Sequence, residues 1–431
     1  MKHIVRSFKY PNFRLFFMGQ SISLIGTWMQ RLAIGWLAYK LKESALILGV
    51  VEFSGQIPTL FLTSLGGVAA DSYNKHRILI ITQALAMLQA LVLAILVISD
   101  NITILLLMTL NICLGIINSL DMPTRQAFLI EMIDNKDDLS NAIALNSSMV
   151  HFARLAGPTL AGFIVAASGE GMCFLINALS YIAVIVSLLL MKTTPRVTPK
   201  KTSAWLQLKD GFHYAFGFPP IKYLILMLSI VSLTAIPYMV LMPIFAKDIL
   251  HGGPRTLGFL MGSAGTGALI GAFYLASRKN IVGLGRIIAA ATFLLGAALT
   301  AFSFSRTMWL SQGLILLAGL GMMIHLAASN TILQTIVSDD MRGRVMSLYT
   351  TAFMGIAPLG SLLAGSVANK IGAPATLAIE GSICIVAAAA FAYKLPALKI
   401  LARPVYVEKG IIPPIESALQ SVSELSVPPE N

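Results

Sequence analysis

Charge is what this chain lacks most. Only 12% of its 431 residues are Asp, Glu, Lys or Arg, while 56% are hydrophobic and the mean hydropathy is +0.79. Soluble globular chains carry roughly 25% charged residues, and a soluble fold of this length needs far more polar surface to cover its core. The same numbers exclude intrinsic disorder, collagen and a coiled coil. Cysteine is nearly absent. Cys113, Cys173 and Cys384 all fall inside apolar runs without ligand spacing, which excludes a disulfide scaffold and a thiolate metal site. No G-x-S-x-G, H-E-x-x-H or Walker loop occurs, which argues against hydrolysis and ATP-driven pumping. No catalytic residue, metal or cofactor is expected. Acids are scarce too, giving a net charge of +12, but no basic patch is interleaved with stacking aromatics. Nucleic acid is therefore not an expected partner.

Long apolar runs are abundant. About 20 residues cross a bilayer, and twelve runs qualify: 13–40, 46–70, 78–98, 102–121, 141–168, 172–191, 221–245, 257–277, 286–305, 308–334, 345–369 and 374–394. The first is too long and too aromatic for a cleaved signal peptide. Pro58, Pro158, Pro237, Pro243 and Pro358 interrupt spans, a break tolerated where neighbouring helices satisfy the freed carbonyls. The predicted fold is an all-α polytopic membrane protein of twelve transmembrane helices in two pseudo-symmetric six-helix bundles. Residues 1–191 form the first bundle, 192–220 a basic linker, 221–395 the second bundle, and 396–431 a disordered tail. The halves echo each other, since Pro158 and Pro358 lie 200 positions apart in spans 5 and 11. Two six-helix repeats joined by a basic linker are the layout of a secondary transporter. With the N-terminus inside, cytoplasmic segments hold 23 Lys and Arg against 6 in the opposite loops, which places both termini in the cytoplasm.

Ionisable groups inside spans are costly and point to function. Arg31 lies about 13 Å from the outer end of span 1 and Glu52 about 12 Å past the start of span 2, so adjacent antiparallel helices bring opposite charges to one level. They form either a structural ion pair or a proton site, since a buried carboxylate whose cation leaves accepts a proton more readily. Arg154 sits near mid-bilayer in span 5, with no obvious acid partner in the sequence, and can attract an anionic substrate. His151 is one turn away on the same face. His325 in span 10, with Asn330 and Gln334 beyond it, is either a packing residue or a proton-transfer group. Gln30 joins this substrate and proton set beside Arg31. Glu380, near the start of span 12, is expected to pair or snorkel at the interface.

After span 2 come Gly67, Asp71, Ser72, Asn74, Lys75 and Arg77. A small residue permits close helix approach, and the acid and bases that follow can latch the two bundles. This resembles the loop 2–3 signature of the major facilitator superfamily, with Ser72 in place of a basic residue and Asn74 in place of a glycine, which Asn can mimic at positive φ. Gly26 to Tyr39, Asp121 to Phe128, Arg154 to Gly162, Phe174 to Ser180 and Arg342 to Ser347 narrow the resemblance to the enterobactin-exporter-like and macrolide-efflux-like branch, over residues 8–395. Gly157, Pro158 and Gly162 match the bend of the antiporter motif. The span 4 arginine of many proton-coupled relatives is missing, with Arg125 lying past the span. The resemblance implies a monomeric exporter of small amphipathic or anionic molecules, siderophore or drug-like, in a bacterial inner membrane. It would exchange substrate for protons among membrane lipids. Asp71, Lys75, Arg77, Asp121, Arg125, Arg342 and Arg344 would form its cytoplasmic latch. Two alternatives stand beside this: a lysophospholipid transporter, and a non-transporting receptor or scaffold.

Overall fold

The computed structural model describes residues 6–192, 204–278 and 280–413. Apolar runs long enough to cross lipid become helices whose backbone bonds close within each segment, so that no polar backbone group faces hydrocarbon unpaired. Six long helices come first: α1 (Pro11–Lys42), α2 (Ala45–Ser72), α3 (Lys75–Ile98), α4 (Ile104–Glu131), α5 (Lys136–Ser168) and α6 (Glu170–Leu189). Then follow α7 (Ala204–Gly217), α8 (Pro219–Thr234), α9 (Tyr238–Ile244), α10 (Pro254–Ala276), α11 (Leu284–Phe304) and α12 (Met308–Ile336). The last are α13 (Arg342–Thr350), α14 (Ala357–Ile371) and α15 (Ala373–Glu408). No strand occurs among the described residues. Eleven segments are long and apolar enough to cross a membrane. Helix α1 is the twelfth crossing, 32 residues and so about 48 Å long, and Gln20, Gln30 and Arg31 make it the most polar.

Connections are tight and capped. Ser44 accepts a hydrogen bond from Ile47 N at the start of α2. Asn74 accepts one from Arg77 N at the start of α3, with φ −65°. Asn74 therefore acts as an N-cap, not as the glycine mimic expected at positive φ, because its side-chain oxygen satisfies an otherwise orphaned backbone donor. Two spans are broken where proline removes a donor. Span 7 stops at Thr234, resumes at Tyr238 after Pro237, and ends in a π-turn, Phe245–Ile249. Span 11 carries a π-turn, Thr351–Gly355, just before Pro358.

Three boundaries need correction. Helix α4 runs to Glu131, so Asp121 and Arg125 lie on its last turns and not in a loop; Pro123 stays within the helix. Residues 204–217 of the expected linker form a helix that packs on α13, anchored by Arg344 Nη1 to Asp210 Oδ2 at 3.2 Å. Residues 396–408 are helical, not disordered. Leu398 and Ala402, four apart on one face, are buried, and that apolar stripe carries the helix past Pro396 and Pro404. The rest of the tail beyond residue 413, and residues 193–203 of the linker, lie outside the described residues.

Because the helices alternate in direction, α1 ends and α2 begins on the face opposite the N-terminus. Helices α5 and α14 end there, and α10 begins there. We call this the far face, and the other the terminal face. Helix α1 packs on α5 and α6, α2 on α4, and α3 on α6; α10 packs on α12, and α11 on α12 and α15. The early and late helices meet chiefly through α5 against α10 and α2 against α14.

Candidate functional site

Between the early and late helices lie two adjoining cavities that share Trp28, Met239 and Met261. One is lined by Trp28, Arg154, Tyr238, Met322 and Met323 among others. The second, partly open to solvent, is lined by Arg31, Glu52, Pro158 and Pro243 among others. Helices α1, α2, α5, α9, α10 and α12 supply their walls.

Close helix contact puts the charges there. A Cβ added to Gly157 would fall 2.5 Å from Trp28 Cβ and 2.9 Å from Ile25 O, so glycine lets α5 lie directly on α1 at the tryptophan. One turn earlier on α5, the Arg154 guanidinium lies 5.1 Å from the Trp28 ring, and Arg31 lies 5.4 Å from the same ring. Tryptophan is the strongest cation–π platform, which lets one side chain steady two like charges. They differ in balance. Arg31 is ion-paired with Glu52, whose Oε1 also accepts from Gln56 Nε2. Arg154 makes no ion pair among the described residues, and its Nε is buried without a hydrogen-bond partner. The site thus holds one neutralised and one uncompensated cation in a thioether-rich, adaptable cavity.

The other expected members lie elsewhere. Gln30 is 2% exposed; its Nε2 donates to Gln89 Oε1 at 3.1 Å and its Oε1 accepts from Asn177 Nδ2 at 2.7 Å. It turns into the packing of α1, α3 and α6, because successive helical residues differ by about 100°. His325 is fully buried, with Nδ1 2.8 Å from Thr292 Oγ1 between α12 and α11. Asn330 accepts from Gln334 Nε2 at 2.5 Å on the terminal half of α12. Neither lines the two cavities. Glu380 is 7% exposed and unpaired, enclosed by neighbouring helices and not held at an interface as expected.

The seven latch residues are also dispersed. Lys75 Nζ meets Glu131 Oε1 at 2.9 Å, between α3 and α4. Asp121 is 2% exposed and accepts from Thr82 Oγ1 at 2.9 Å and Gln83 Nε2 at 2.7 Å, with Arg125 Nη2 at 2.9 Å. Arg342 pairs with Asp339, three residues away, and Arg344 with Asp210. Asp71 and Arg77 are exposed, and a Cβ on Gly67 would meet nothing within 4 Å. Among the described residues no ion pair on the terminal face joins early to late helices.

The far face is different, and sequence reasoning missed its polar members. Tyr39 donates to Asp248, and Lys247 pairs with Glu43, whose carboxyl is held below the usual carboxylate range by the Lys247 hydrogen bond. Ser44 Oγ donates to Asn369 Oδ1 at 3.2 Å. Residues of one helix end and another some 200 positions away carry no pairing signal in a single sequence. Beneath them, a Cβ on Gly258 would lie 2.9 Å from Gly162 Cα and 2.9 Å from Pro158 O. Gly162 and Pro158 therefore sit where α5 crosses α10, within a helix that runs unbroken from Lys136 to Ser168.

The family model described as "Transmembrane secretion effector" matches residues 5–409. The chain is 27% identical over 376 residues to the "Staphyloferrin A transporter" of Staphylococcus aureus, covering 86% of this chain and 94% of that protein. It is 25% identical over 359 residues to "Multidrug efflux pump Tap" of Mycolicibacterium fortuitum, covering 80% and 86%. In fold it is similar to a POT family transporter in complex with 5-aminolevulinic acid, at TM-score 0.71, 11% identity and coverage of 90% and 96%. It is likewise similar to a bacterial homologue of the human lysosomal transporter Spinster, at TM-score 0.66, 15% identity and coverage of 93% and 98%.

Proposed function

The chain belongs to the transmembrane secretion effector family of major facilitator transporters, and we propose that it exports a small anionic or amphipathic molecule, siderophore-like or drug-like, in exchange for protons. It is a multi-pass bacterial membrane transporter of small molecules, not an enzyme. The observation that carries the substrate reading is Arg154: a guanidinium between the two sets of helices, stacked on Trp28 and without an acid partner. A carboxylate or phenolate would complete that charge, while Met239, Met261, Met322 and Met323 would cover an apolar body. The relatives named above, one transporting staphyloferrin A and one effluxing drugs, support this class. They give no support to lysophospholipid flipping.

Residues 1–191 and 221–395 would rock as two bodies about this cavity. With the termini cytoplasmic, as the Lys and Arg bias predicts, the closed far face is periplasmic and the present conformation receives substrate from the cytoplasm. Glu52, ion-paired with Arg31 in this conformation, would carry no proton while substrate moves outward. After substrate leaves on the far side Arg31 would part from Glu52, which would take a proton there and give it up to the cytoplasm on the return. On the cytoplasmic side, Asp71 and the bases near it would latch the bundles only after that side closes. The protein would act as a monomer in the inner membrane, in contact with its lipids.

Uptake into inverted membrane vesicles tests this, with a panel of siderophores, macrolides, dyes and lysolipids, each with and without a protonophore. We expect accumulation of anionic members that collapses with the protonophore. In Arg154→Gln their transport should fall at least about ten-fold, the size of a lost charge-assisted hydrogen bond, with cationic members less affected. Protonophore-insensitive accumulation would overturn the proton exchange, and undiminished anion transport by Arg154→Gln would overturn the substrate class.

A further inference from the structure

Glu380 belongs to none of this machinery, yet it is the one carboxyl among the described residues buried inside the late helices without a partner. It lies two turns into α15, is 7% exposed, and its Oε2 is enclosed with no hydrogen bond. Helix α15 is held tightly at this level. A Cβ on adjacent Gly381 would fall 2.7 Å from Gly296 O and 2.8 Å from Thr300 N, and one on Gly296 would fall 2.6 Å from Gly381 O. Helices α15 and α11 are thus in backbone contact at this level. Thr300 Oγ1, on α11 facing Gly381, is also buried and unpartnered. One turn along α15, Cys384 Sγ lies 3.2 Å from Thr234 Oγ1, and Thr234 is the last residue of α8 before its break. Because α8 and α15 run antiparallel, the turn holding Glu380 is level with residues 235–238. The front of that break carries Tyr238 and Met239 into the Arg154 cavity.

Helix α15 packs against α8, α9, α11, α12 and α14. The ionisable residues on those helices are Lys222, Tyr223, Tyr238, Arg286, His325 and Lys370, and Arg306 lies just past α11. Helix α15 itself adds Cys384 and, three or more turns away, Tyr393, Lys394, Lys399, Arg403, Tyr406 and Glu408. None makes an ion pair or hydrogen bond with Glu380. His325 is engaged by Thr292, and Arg306 donates to Ser303 O and Ser305 O. An ionised carboxylate here would give up its hydration and receive neither cation nor donor. The neutral acid needs only one acceptor.

We propose that Glu380 is a second proton-binding site, separate from Arg31 and Glu52, occupied in this conformation and emptied only when the α8–α9 break moves away from α15. The step is a simple ionisation: the carboxyl O–H breaks and the proton passes to water admitted by that movement. Substrate-lining residues on one side of the break and the acid on the other are thereby linked, since a group that binds a proton in one state and not the other shifts the equilibrium between them. The proposal does not require Glu52 to carry a proton.

Infrared difference spectroscopy on the purified full chain in nanodiscs tests occupancy. A protonated-carboxyl C=O band is expected at neutral pH in the unaltered protein and in Glu52→Gln, and its loss is expected in Glu380→Gln, which matches the neutral acid in shape. Absence of the band from the unaltered protein, or its persistence in Glu380→Gln, overturns the site. The linkage is read without substrate, from spin-label distances between Leu46→Cys and Ile371→Cys across the far face, both exposed positions. Cys113→Ser removes the exposed native thiol. Raising pH should lower the closed population at least about five-fold, and Glu380→Gln should abolish that dependence. Equal pH dependence in Glu380→Gln overturns the linkage and leaves the export reading, which rests on vesicle transport, untouched.

Discussion

The two faces of this molecule are held by different physics. On the far face, early and late helices meet through backbone: Gly258 on Gly162, and Gly49 on Gly365, where a Cβ on Gly365 would fall 2.9 Å from Gly49 Cα. A thin polar layer of Tyr39 with Asp248, Glu43 with Lys247 and Ser44 with Asn369 lies above them. On the terminal face the charges are more numerous, but every ion pair there among the described residues lies within the early set or within the late set. Close-packed backbone excludes intervening groups and does not tolerate partial separation. The exposed pairs of the terminal face, Arg342 with Asp339 and Arg344 with Asp210, can change partners at little cost, whereas Asp121 and Lys75 stay buried within the early set. The first suits the face that is shut in this conformation, the second a face that must be able to reassemble.

The sharpest way to break this comparison is to fill the α5–α10 crossing. In Gly258→Val the added atoms meet backbone at 2.9 Å on two sides, and backbone cannot swing aside as a side chain can. Overpacking of this kind costs about 1–3 kcal/mol, equivalent to roughly a ten- to hundred-fold shift in population. Spin-label distances across the far face should lengthen accordingly. Gly313→Val on α12, where a Cβ meets nothing within 4 Å, should change nothing. Unchanged distances in Gly258→Val would mean that glycine contact is not what shuts this face.

The second effect is on the terminal face and of opposite sign. Asp71 is exposed and unpartnered here, so Asp71→Asn removes nothing from this conformation. If its carboxylate bonds across the bundles once that side closes, its loss favours the present state. Alkylation of Thr350→Cys from the terminal face should then rise about two- to ten-fold, with no change in melting temperature. A fall in alkylation would show that Asp71 supports this conformation by some other route.

Much of this was legible in the residues. Run lengths fix the crossings, and the Arg31–Glu52 pair follows from counting depth along two adjacent antiparallel helices joined by a two-residue turn. What a single sequence does not carry is rotation and partner choice. Gln30 and Arg31 are neighbours in sequence and yet face the bundle core and the cavity, because a helix buried nearly all round has no polar face to announce its orientation. Trp28 was visible in its motif, but its place between two guanidiniums depends on Gly157 bringing α5 onto α1. Asp121 read as the end of span 4 and Arg125 as lying past it because the apolar run ends before the helix does. Glu380 was expected at an interface because its depth along α15 is small, whereas the packing of α15 among its neighbouring helices buries it.

The smallest effect belongs to the polar layer of the far face, and its sign separates it from the glycine contacts beneath. Lys247 holds the Glu43 carboxyl below its ordinary value of 4.5. A carboxyl lowered in the closed form contributes to closure above the ordinary value and loses that contribution as pH falls through the lowered one. Acid on the far side should therefore loosen this polar layer slightly, opposite in sign to the alkaline opening expected from Glu380, and Glu380→Gln lets the small acid effect be read alone. Glu43 is solvent-exposed, so Glu43→Gln should shift the distance populations by no more than about two-fold. About 1 M salt, where the screening length is about 3 Å, should reproduce most of that shift. Gly258→Val should be indifferent to salt and acid alike, since nothing charged lies in its contact. If salt or acid opened the unaltered protein as far as Gly258→Val does, the two faces would be held by the same force, with charge and not backbone contact as the seal on both.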